Sequence, residues 1–183
     1  MRVIAVLGAG PGLGMAVARR FGREGFAVAL VSRTSARHAG YRAELAADGT
    51  ESHSYAADVT DAAQLREVLD RIDAELGAID TVYFGPAALE SGSALVPLPE
   101  ADAAAVRAPF DMIVAPAVGM VHVVLPRMLE RGAGALFFGG GLSGRQPMPT
   151  LGSFAPASAA LRMYVLTLSA ALADRGVYAG VLT

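Results

Sequence analysis

The sequence predicts an α/β domain built around a mainly parallel sheet. Short apolar, β-branched runs alternate along the chain with longer amphipathic stretches, which is the pattern of strands joined by helices. The first run also leads through a glycine-rich turn directly into a helical pattern. With 183 residues, the chain is long enough for one domain with a well-buried core and too short for two such domains.

Strands and helices account for most of the chain. We predict strands at 2–7, 27–31, 52–56, 81–84, 135–138 and 177–182. We predict helices at 13–24, 36–47, 62–75, 100–130 and 154–174, the fourth kinked by Pro109 and Pro116. Arg107 and Asp111 lie four residues apart near this kink, so they are expected to pair. Because the last strand runs into the final residue, we expect the native protein to continue beyond residue 183 with a further strand and a substrate lobe.

Composition narrows the class of protein. The chain is 54% hydrophobic, but its longest apolar run, 112–125, is interrupted by Pro116 and Gly119 and is shorter than the about 20 residues of a spanning helix. We therefore expect a buried helix, no membrane association and a cytoplasmic protein. The chain has no cysteine and its basic residues are scattered, so we expect no disulfide, no metal site and no nucleic-acid partner. All fifteen basic residues are arginines, and the absence of lysine excludes a lysine Schiff base.

A glycine-rich turn follows the first strand, in the segment VIAVLGAGPGLGMAVARRF. Glycine permits positive φ angles and a close approach of the backbone to a ligand. The helix that follows directs free N–H groups and the positive end of its dipole towards an anion. A strand, this turn and a helix in succession predict a dinucleotide site whose pyrophosphate contacts Gly8, Gly10, Gly12, Leu13 and Gly14.

The end of the second strand indicates which dinucleotide is bound. Sites that prefer NAD usually carry an acidic residue here for the ribose hydroxyls. This chain has the small, neutral Ser32 followed by Arg33, a pair that suits the 2′-phosphate of NADP. We therefore expect NADP(H) to be preferred over NAD(H).

Taken together, these motifs resemble the short-chain dehydrogenase/reductase family along the whole chain. The family's T-G-x-x-x-G-x-G loop is matched from Leu7 to Gly14 with only the threonine replaced. The segment ADVTD matches the family's Asp-Val pair beside adenine, which implies contacts from Asp58 and Val59. The resemblance implies one Rossmann-type domain over 1–183, with a doubly wound parallel sheet, three α/β/α layers and strand order 3-2-1-4-5-6.

The residues that carry out the family's chemistry are replaced. In the family, a tyrosine transfers a proton, a lysine lowers the pKa of that tyrosine, a serine orients the carbonyl and an asparagine holds a water. These four residues fall, in the same order, at Phe154, Ser158, Gly141 and Ile113. Phenylalanine has no ionisable proton, and no shift of the alignment supplies a lysine. The family's N-N-A-G segment is replaced by Phe84, Gly85, Pro86 and Ala87, which leaves Gly85 as the possible turn beside the cofactor.

Three functions remain open from the sequence. The first is an atypical NADP(H)-dependent oxidoreductase with substitute proton donors. Its candidate catalytic residues are Asp111 as an acid or base, and Ser143 and Arg145 in the loop after the fifth strand, where Arg145 could hold a carboxylate or phosphate. The second is a non-redox cyclase, isomerase or lyase acting on a small hydrophobic substrate in a pocket lined by residues such as Phe84 and Phe154. The third is a non-catalytic NADP(H)-binding sensor or partner subunit. In all three, the resemblance implies a homodimer or homotetramer formed through helices 100–130 and 154–174. The histidine at 38 lies in a charged helix and shows no partner signal.

Overall fold

A computed structural model describes residues 1–85 and 95–183 of the chain. Its strands are β1 (Arg2–Leu7), β2 (Phe26–Ser32), β3 (Ser52–Ala56), β4 (Ile79–Phe84), β5 (Gly134–Gly139) and β6 (Val177–Leu182). Its α-helices are α1 (Leu13–Gly22), α2 (His38–Ala47), α3 (Ala62–Leu76), α4 (Ala103–Pro109), α5 (Ala115–Arg131) and α6 (Ala155–Ala171). These bounds agree with the predicted elements to within a few residues, except that the predicted helix 100–130 is divided.

The strands form one parallel sheet in the order β3-β2-β1-β4-β5-β6, which confirms the predicted topology. β1 lies at the centre, where Leu7 is paired with Val31 of β2 and with Phe84 of β4. The carboxyl ends of all six strands therefore meet at one edge. In open sheets of this kind, ligands bind at that edge where the strand order reverses.

Two clusters of buried side chains hold the layers together. On one side of the sheet, α3, α5 and α6 pack over β1, β4 and β5, with Val82, Met120 and Leu136 fully buried. On the other side, α1 and α2 cover β1 and β2, with Ile4 and Leu30 fully buried. Because both faces of these central strands are covered, β1 and β2 are almost continuously apolar instead of alternating.

The predicted kink near Pro109 is a turn of π-helix. Phe110–Val114 forms this turn between α4 and α5, and Pro109 and Pro116 flank it. Proline has no N–H to donate to the preceding turn, so the regular α-helical bonding cannot run through both positions. The prediction that Arg107 pairs with Asp111 is wrong: among the described residues no ion pair joins them. The change of helical pitch at Phe110 removes the spacing on which that prediction rested.

The helical run Ala103–Arg131 is long and apolar enough to cross a membrane by length and composition alone. Within this fold its inner side is part of the core, where Ala117, Met120 and Val124 are buried against the sheet. That arrangement is the one predicted for this segment, a buried helix of an α/β domain. Its high hydropathy is accounted for by packing against α3, α6 and the strands.

Candidate functional site

The predicted cofactor contacts converge at the carboxyl edge of the sheet. The N–H groups of Gly8 and Ala9 both donate to the carbonyl oxygen of Val31, at 3.0 and 2.9 Å. The N–H of Ala57 donates to the carbonyl oxygen of Ser32 at 3.0 Å. These bonds join the glycine turn, the end of β2 and the segment after β3 at this edge.

The glycine turn is shaped as a cradle for an anion. Gly8 has a φ of +106°, which only glycine adopts easily. A Cβ placed on Gly14 would lie 2.4 Å from the carbonyl oxygen of Gly8, so α1 can approach the turn this closely only with glycine there. No side chain caps α1 at Gly12, and the first turn holds no acidic residue. The amides and the dipole at this helix end are therefore available to a phosphate, and the exposed Leu13 stands beside them.

At the end of β2, Ser32 is half-buried and Arg33 is exposed. Among the described residues, Arg33 takes part in no ion pair, so its guanidinium is available to a ligand. This is the chemistry that the sequence assigns to a 2′-phosphate site.

Asp58 and Val59 follow β3 in a turn with fixed geometry. One carboxylate oxygen of Asp58 accepts from the N–H and the hydroxyl of Thr60, at 2.9 and 2.7 Å. The N–H of Asp58 donates to the side-chain oxygen of Gln64 at 3.1 Å. Asp61 then caps α3, and hydrogen bonds from the Gln64 backbone and side chain and from the Ala63 backbone hold the pKa of its carboxyl below the usual range. The backbone of Asp58 and Val59 is thus held in one position beside β2.

Gly85 has a structural reason to be glycine. Its N–H donates to the carbonyl oxygen of Leu7 at 2.8 Å, which ties the end of β4 to the end of β1. A Cβ on Gly85 would lie 2.1 Å from the hydroxyl oxygen of the buried Tyr83. Pro86 and Ala87, the other two residues of this altered motif, lie outside the described residues. Phe84 itself is 1% exposed, so the prediction that it lines a pocket is wrong, because both faces of β4 are covered and its ring packs in the cluster under α3, α5 and α6.

Of the four positions of the family's proton-transfer groups, Ile113 and Ser158 lie on elements that contact each other, and the chemical character of the four has changed. Ile113 lies in the π-helical turn and is buried in the core, and this turn contacts α6. Phe154 immediately precedes α6 and packs against the same core. Ser158 lies one turn into α6 and is 7% exposed. Hydrocarbon replaces the water-binding and proton-donating groups at two of the four positions.

The remaining position, Gly141, is near a buried hydroxyl. A Cβ on Gly141 would lie 3.4 Å from the hydroxyl oxygen of Ser143. Ser143 is 7% exposed, and its hydroxyl has no hydrogen-bond partner among the described residues. A buried hydroxyl without a partner is unfavourable by about 1 to 3 kcal/mol, so such a group favours a water or a ligand as its partner. Of the three candidate catalytic residues, Ser143 alone is buried, whereas Arg145 and Asp111 are exposed.

The segment before α6 is fastened to the chain that precedes α4. The N–H of Ser153 donates to the carbonyl oxygen of Val96 at 2.8 Å, and the N–H of Val96 donates to the Ser153 hydroxyl at 3.4 Å. Gly152, directly before Ser153, has φ and ψ of +43° and −126°, a combination open only to glycine. This attachment fixes where α6, with Phe154 and Ser158, begins.

An open cleft of about 610 Å³ runs along α4 and is lined by Ala101, Asp102, Ala103, Val106, Arg107 and Phe110. None of the predicted catalytic positions lines it. Within the described part of the chain, no group of three or more histidine, aspartate or glutamate side chains is arranged to hold a metal ion.

One residue of the cofactor region was missed by sequence reasoning. His38 is 1% exposed, and its ring lies between the hydroxyl oxygens of Ser32 and Ser54, with both nitrogen-to-oxygen distances 2.6 Å. Burial lowers the pKa of its imidazole. The signal that could have revealed it is the alternation of β3, which turns Ser54 to the same side of the sheet as α2.

The glycine turn after β1, the strand order and the crossover at the carboxyl edge define a Rossmann-type α/β protein. The family model described as short chain dehydrogenase matches residues 2–183, and the chain belongs to this family. A sulfoacetaldehyde reductase from Chromohalobacter salexigens is 28% identical over 178 residues, which cover 96% of this chain and 68% of that protein. 2-(S)-Hydroxypropyl-CoM dehydrogenase 3 from Xanthobacter autotrophicus is 29% identical over 96% of this chain and 67% of that protein. A short chain dehydrogenase from Pseudocercospora fijiensis is 28% identical over 94% of this chain, which spans 55% of that relative.

Solved structures show the same fold. L-Sorbose reductase from Gluconobacter frateurii, complexed with NADPH and L-sorbose, superposes with a TM-score of 0.87 at 22% identity over 98% of this chain and 67% of that one. An NADPH-bound short chain oxidoreductase from Pseudomonas aeruginosa, described as containing an atypical catalytic center, also has a TM-score of 0.87, at 21% identity over 98% of this chain and 69% of that one.

Proposed function

We propose that this protein binds NADP(H) through the adenosine and phosphate half of the cofactor and is an atypical oxidoreductase that does not use tyrosine–lysine proton transfer. The observation that carries the proposal is the contrast between the two halves of the site. The glycine cradle, Arg33 and the Asp58 turn are present, whereas Ile113 is buried in the core and Phe154 packs against it. When bound, the nicotinamide would supply the hydride, and the protein would position it.

The family and the NADPH-bound neighbours support a nicotinamide dinucleotide as cofactor. The Pseudomonas aeruginosa structure further indicates that this fold can hold NADPH beside an atypical catalytic center. The residues that would hold the pyrophosphate are Gly8, Gly10, Gly12, Leu13 and Gly14, with Arg33 at the 2′-phosphate and Asp58 and Val59 at the adenine. A preference for NADP(H) over NAD(H) depends on Arg33.

Replacing Arg33 tests the cofactor assignment. We expect Arg33→Ala to weaken NADPH binding about 10- to 100-fold, because a charge-assisted hydrogen bond to phosphate is lost, and to leave NADH binding nearly unchanged. Calorimetric titration with both dinucleotides measures the two affinities. Arg175→Ala is the matched control, since this exposed arginine precedes β6 at the opposite edge of the sheet. Equal losses for NADPH and NADH would contradict a 2′-phosphate contact, and no binding of either by the unaltered protein would overturn the cofactor assignment.

Restoring the absent groups tests the loss of proton transfer. We expect the triple variant Gly141→Ser/Phe154→Tyr/Ser158→Lys to raise kcat/KM for NADPH-dependent carbonyl reduction about 100-fold or more, which is the range of general acid catalysis. Phe154→Tyr alone is the control, because without the lysine no neighbouring cation lowers the pKa of the new phenol, which therefore donates poorly. The fall in NADPH absorbance with a panel of aldehydes and ketones measures both. Turnover by the unaltered protein equal to that of the triple variant would show that another group already donates the proton.

A non-catalytic NADP(H)-binding role is the second candidate. It is favoured by the packing of Phe154 against the core, which uses the former tyrosine position for stability. The two candidates differ in one measurement: binding of NADPH without oxidation by any carbonyl compound supports the sensor or partner subunit, and slow oxidation supports the enzyme. For an enzyme, the hydrocarbon at Ile113 and Phe154 favours a small hydrophobic substrate.

We also propose that the protein forms a homodimer or homotetramer through α5 and α6. Val118 on α5 and Met163 and Leu166 on α6 are 41%, 62% and 42% exposed. Large apolar side chains on neighbouring outer helices are typical of a surface that another copy covers. The mass in solution, measured by light scattering, tests this assembly.

A further inference from the structure

The buried histidine near the end of β2 is part of a continuous chain of hydrogen bonds. The Ser54 hydroxyl lies 2.6 Å from Nδ1 of His38, Nε2 of His38 lies 2.6 Å from the Ser32 hydroxyl, and this hydroxyl lies 2.8 Å from the carbonyl oxygen of Thr34. The end of β2, the start of α2 and the middle of β3 are joined in this way. The chain of hydrogen bonds ends at the carbonyl oxygen of Thr34, and its half-buried member Ser32 lies beside the exposed Arg33.

The direction of each proton in this chain follows from its last member. A carbonyl oxygen only accepts, so the Ser32 hydroxyl donates its one proton to Thr34. His38 must then donate from Nε2 to the Ser32 oxygen, and the Ser54 hydroxyl donates to the unprotonated Nδ1. Burial lowers the pKa of the His38 imidazole, which keeps the ring in the neutral form that this arrangement needs.

The Ser32 hydroxyl is thereby left with a single unoccupied hydrogen-bonding position. A hydroxyl oxygen has one proton and two lone pairs, and here the proton and one lone pair are occupied. What Ser32 can offer to a ligand is the second lone pair, which is a hydrogen-bond acceptor. A ribose hydroxyl can donate to such an acceptor, whereas a phosphate dianion has no proton to donate.

We propose that His38 is a positioning residue that fixes the Ser32 hydroxyl as an acceptor for the 2′-hydroxyl of the adenosine ribose, so that Ser32 favours NAD(H) and any preference for NADP(H) comes from Arg33. This inference rests on the proposed dinucleotide site and specifies how its two neighbouring residues divide the recognition. Ser32 therefore favours NAD(H) whereas Arg33 favours NADP(H), although in the sequence the two residues together suggest a 2′-phosphate site.

The ratio of the NADH and NADPH dissociation constants tests whether Ser32 recognises the ribose hydroxyl and Arg33 the phosphate. We expect Ser32→Ala to weaken NADH binding about three- to tenfold, the worth of one neutral hydrogen bond, and to change NADPH binding less than about twofold. His38→Phe should change the ratio in the same direction, because the Ser32 hydroxyl is then free to turn and donate to a phosphate. In the Ser32→Ala background, His38→Phe should have no further effect on the ratio. His38→Gln, which keeps an N–H donor towards Ser32, should retain the original ratio.

General damage to the site gives a different result. If His38→Phe weakens NADH and NADPH equally, or shifts the ratio by the same factor with and without Ser32, the histidine has only a structural role and the proposal is overturned. Thermal unfolding of each variant identifies one that does not fold, and His38→Gln then carries the comparison.

The proton positions can also be measured without any cofactor. Nitrogen chemical shifts of the histidine rings by NMR, with His38 assigned from His38→Gln, should show a neutral ring protonated at Nε2. A ring protonated at Nδ1 overturns the proposal even where both dinucleotides bind. If the ring is protonated at Nε2 but the protein binds neither dinucleotide, the hydrogen-bond chain is as described and the proposed dinucleotide binding is wrong. The ribose contact then fails together with the proposed function.

Discussion

Gly14→Ala is expected to lower the free energy of unfolding by about 2 to 4 kcal/mol and to abolish measurable NADPH binding. The new methyl group would lie 2.4 Å from the carbonyl oxygen of Gly8 and 3.3 Å from Cα of Ala9. Both contacts are with backbone, so a change of side-chain rotamer cannot relieve them. Either α1 or the glycine turn must move, and the amides that would hold the pyrophosphate move with it. Denaturant unfolding and NADPH titration measure the two effects.

Gly40→Ala provides the matched control for this substitution. Gly40 lies in α2, is exposed, and has open space where its Cβ would be. Alanine in a helix interior is more favourable than glycine by about 0.5 to 1 kcal/mol, so this variant should be more stable than the parent protein. If Gly14→Ala and Gly40→Ala have the same stability and the same affinity for NADPH, the close contact between α1 and the turn is not what the site requires.

Gly152→Ala is expected to destabilise the protein by about 3 kcal/mol and to release the segment before α6 from the chain that precedes α4. The Cβ would lie 2.2 Å from the carbonyl oxygen of Val96, at a residue whose φ is already +43°. The same carbonyl accepts the hydrogen bond from the Ser153 N–H, so the clash and the lost bond coincide. Unfolding in denaturant gives the global loss, and faster hydrogen exchange at the Ser153 amide gives the local one.

Gly25→Ala separates the two causes of this effect. Gly25 has a φ of +80°, but nothing lies within 4 Å of its Cβ position, so alanine there meets only the backbone preference, worth about 1 to 2 kcal/mol. The exchange rate at Ser153 should be unaffected by Gly25→Ala. An equal loss of stability in the two variants, with the Ser153 amide still protected in Gly152→Ala, would show that the contact with Val96 is unimportant.

The topology could be predicted from the sequence because its causes are local and repeated. Apolar runs such as β1 and β2 predict buried strands, and the glycine turn between β1 and α1 predicts how the strand connects to the helix. The strand order follows from the resemblance that these motifs carry. The π-helical turn at Phe110–Val114 was predicted only as a kink, because proline marks where regular bonding stops and does not say how the chain rearranges.

The sequence by itself determined which groups the candidate site contains and which it lacks: four glycines after β1, Ser32 and Arg33 after β2, and no lysine anywhere in the chain. Only the tertiary structure decided how those groups are used. It buries Phe84 and Ser143, leaves Arg107 and Asp111, both among the described residues, without an ion pair to each other, and places His38 between two serines from different strands. Composition and spacing fix the chemical types that are available. Burial and hydrogen-bond direction depend on contacts between segments far apart in the chain, and these exist only once the layers have packed.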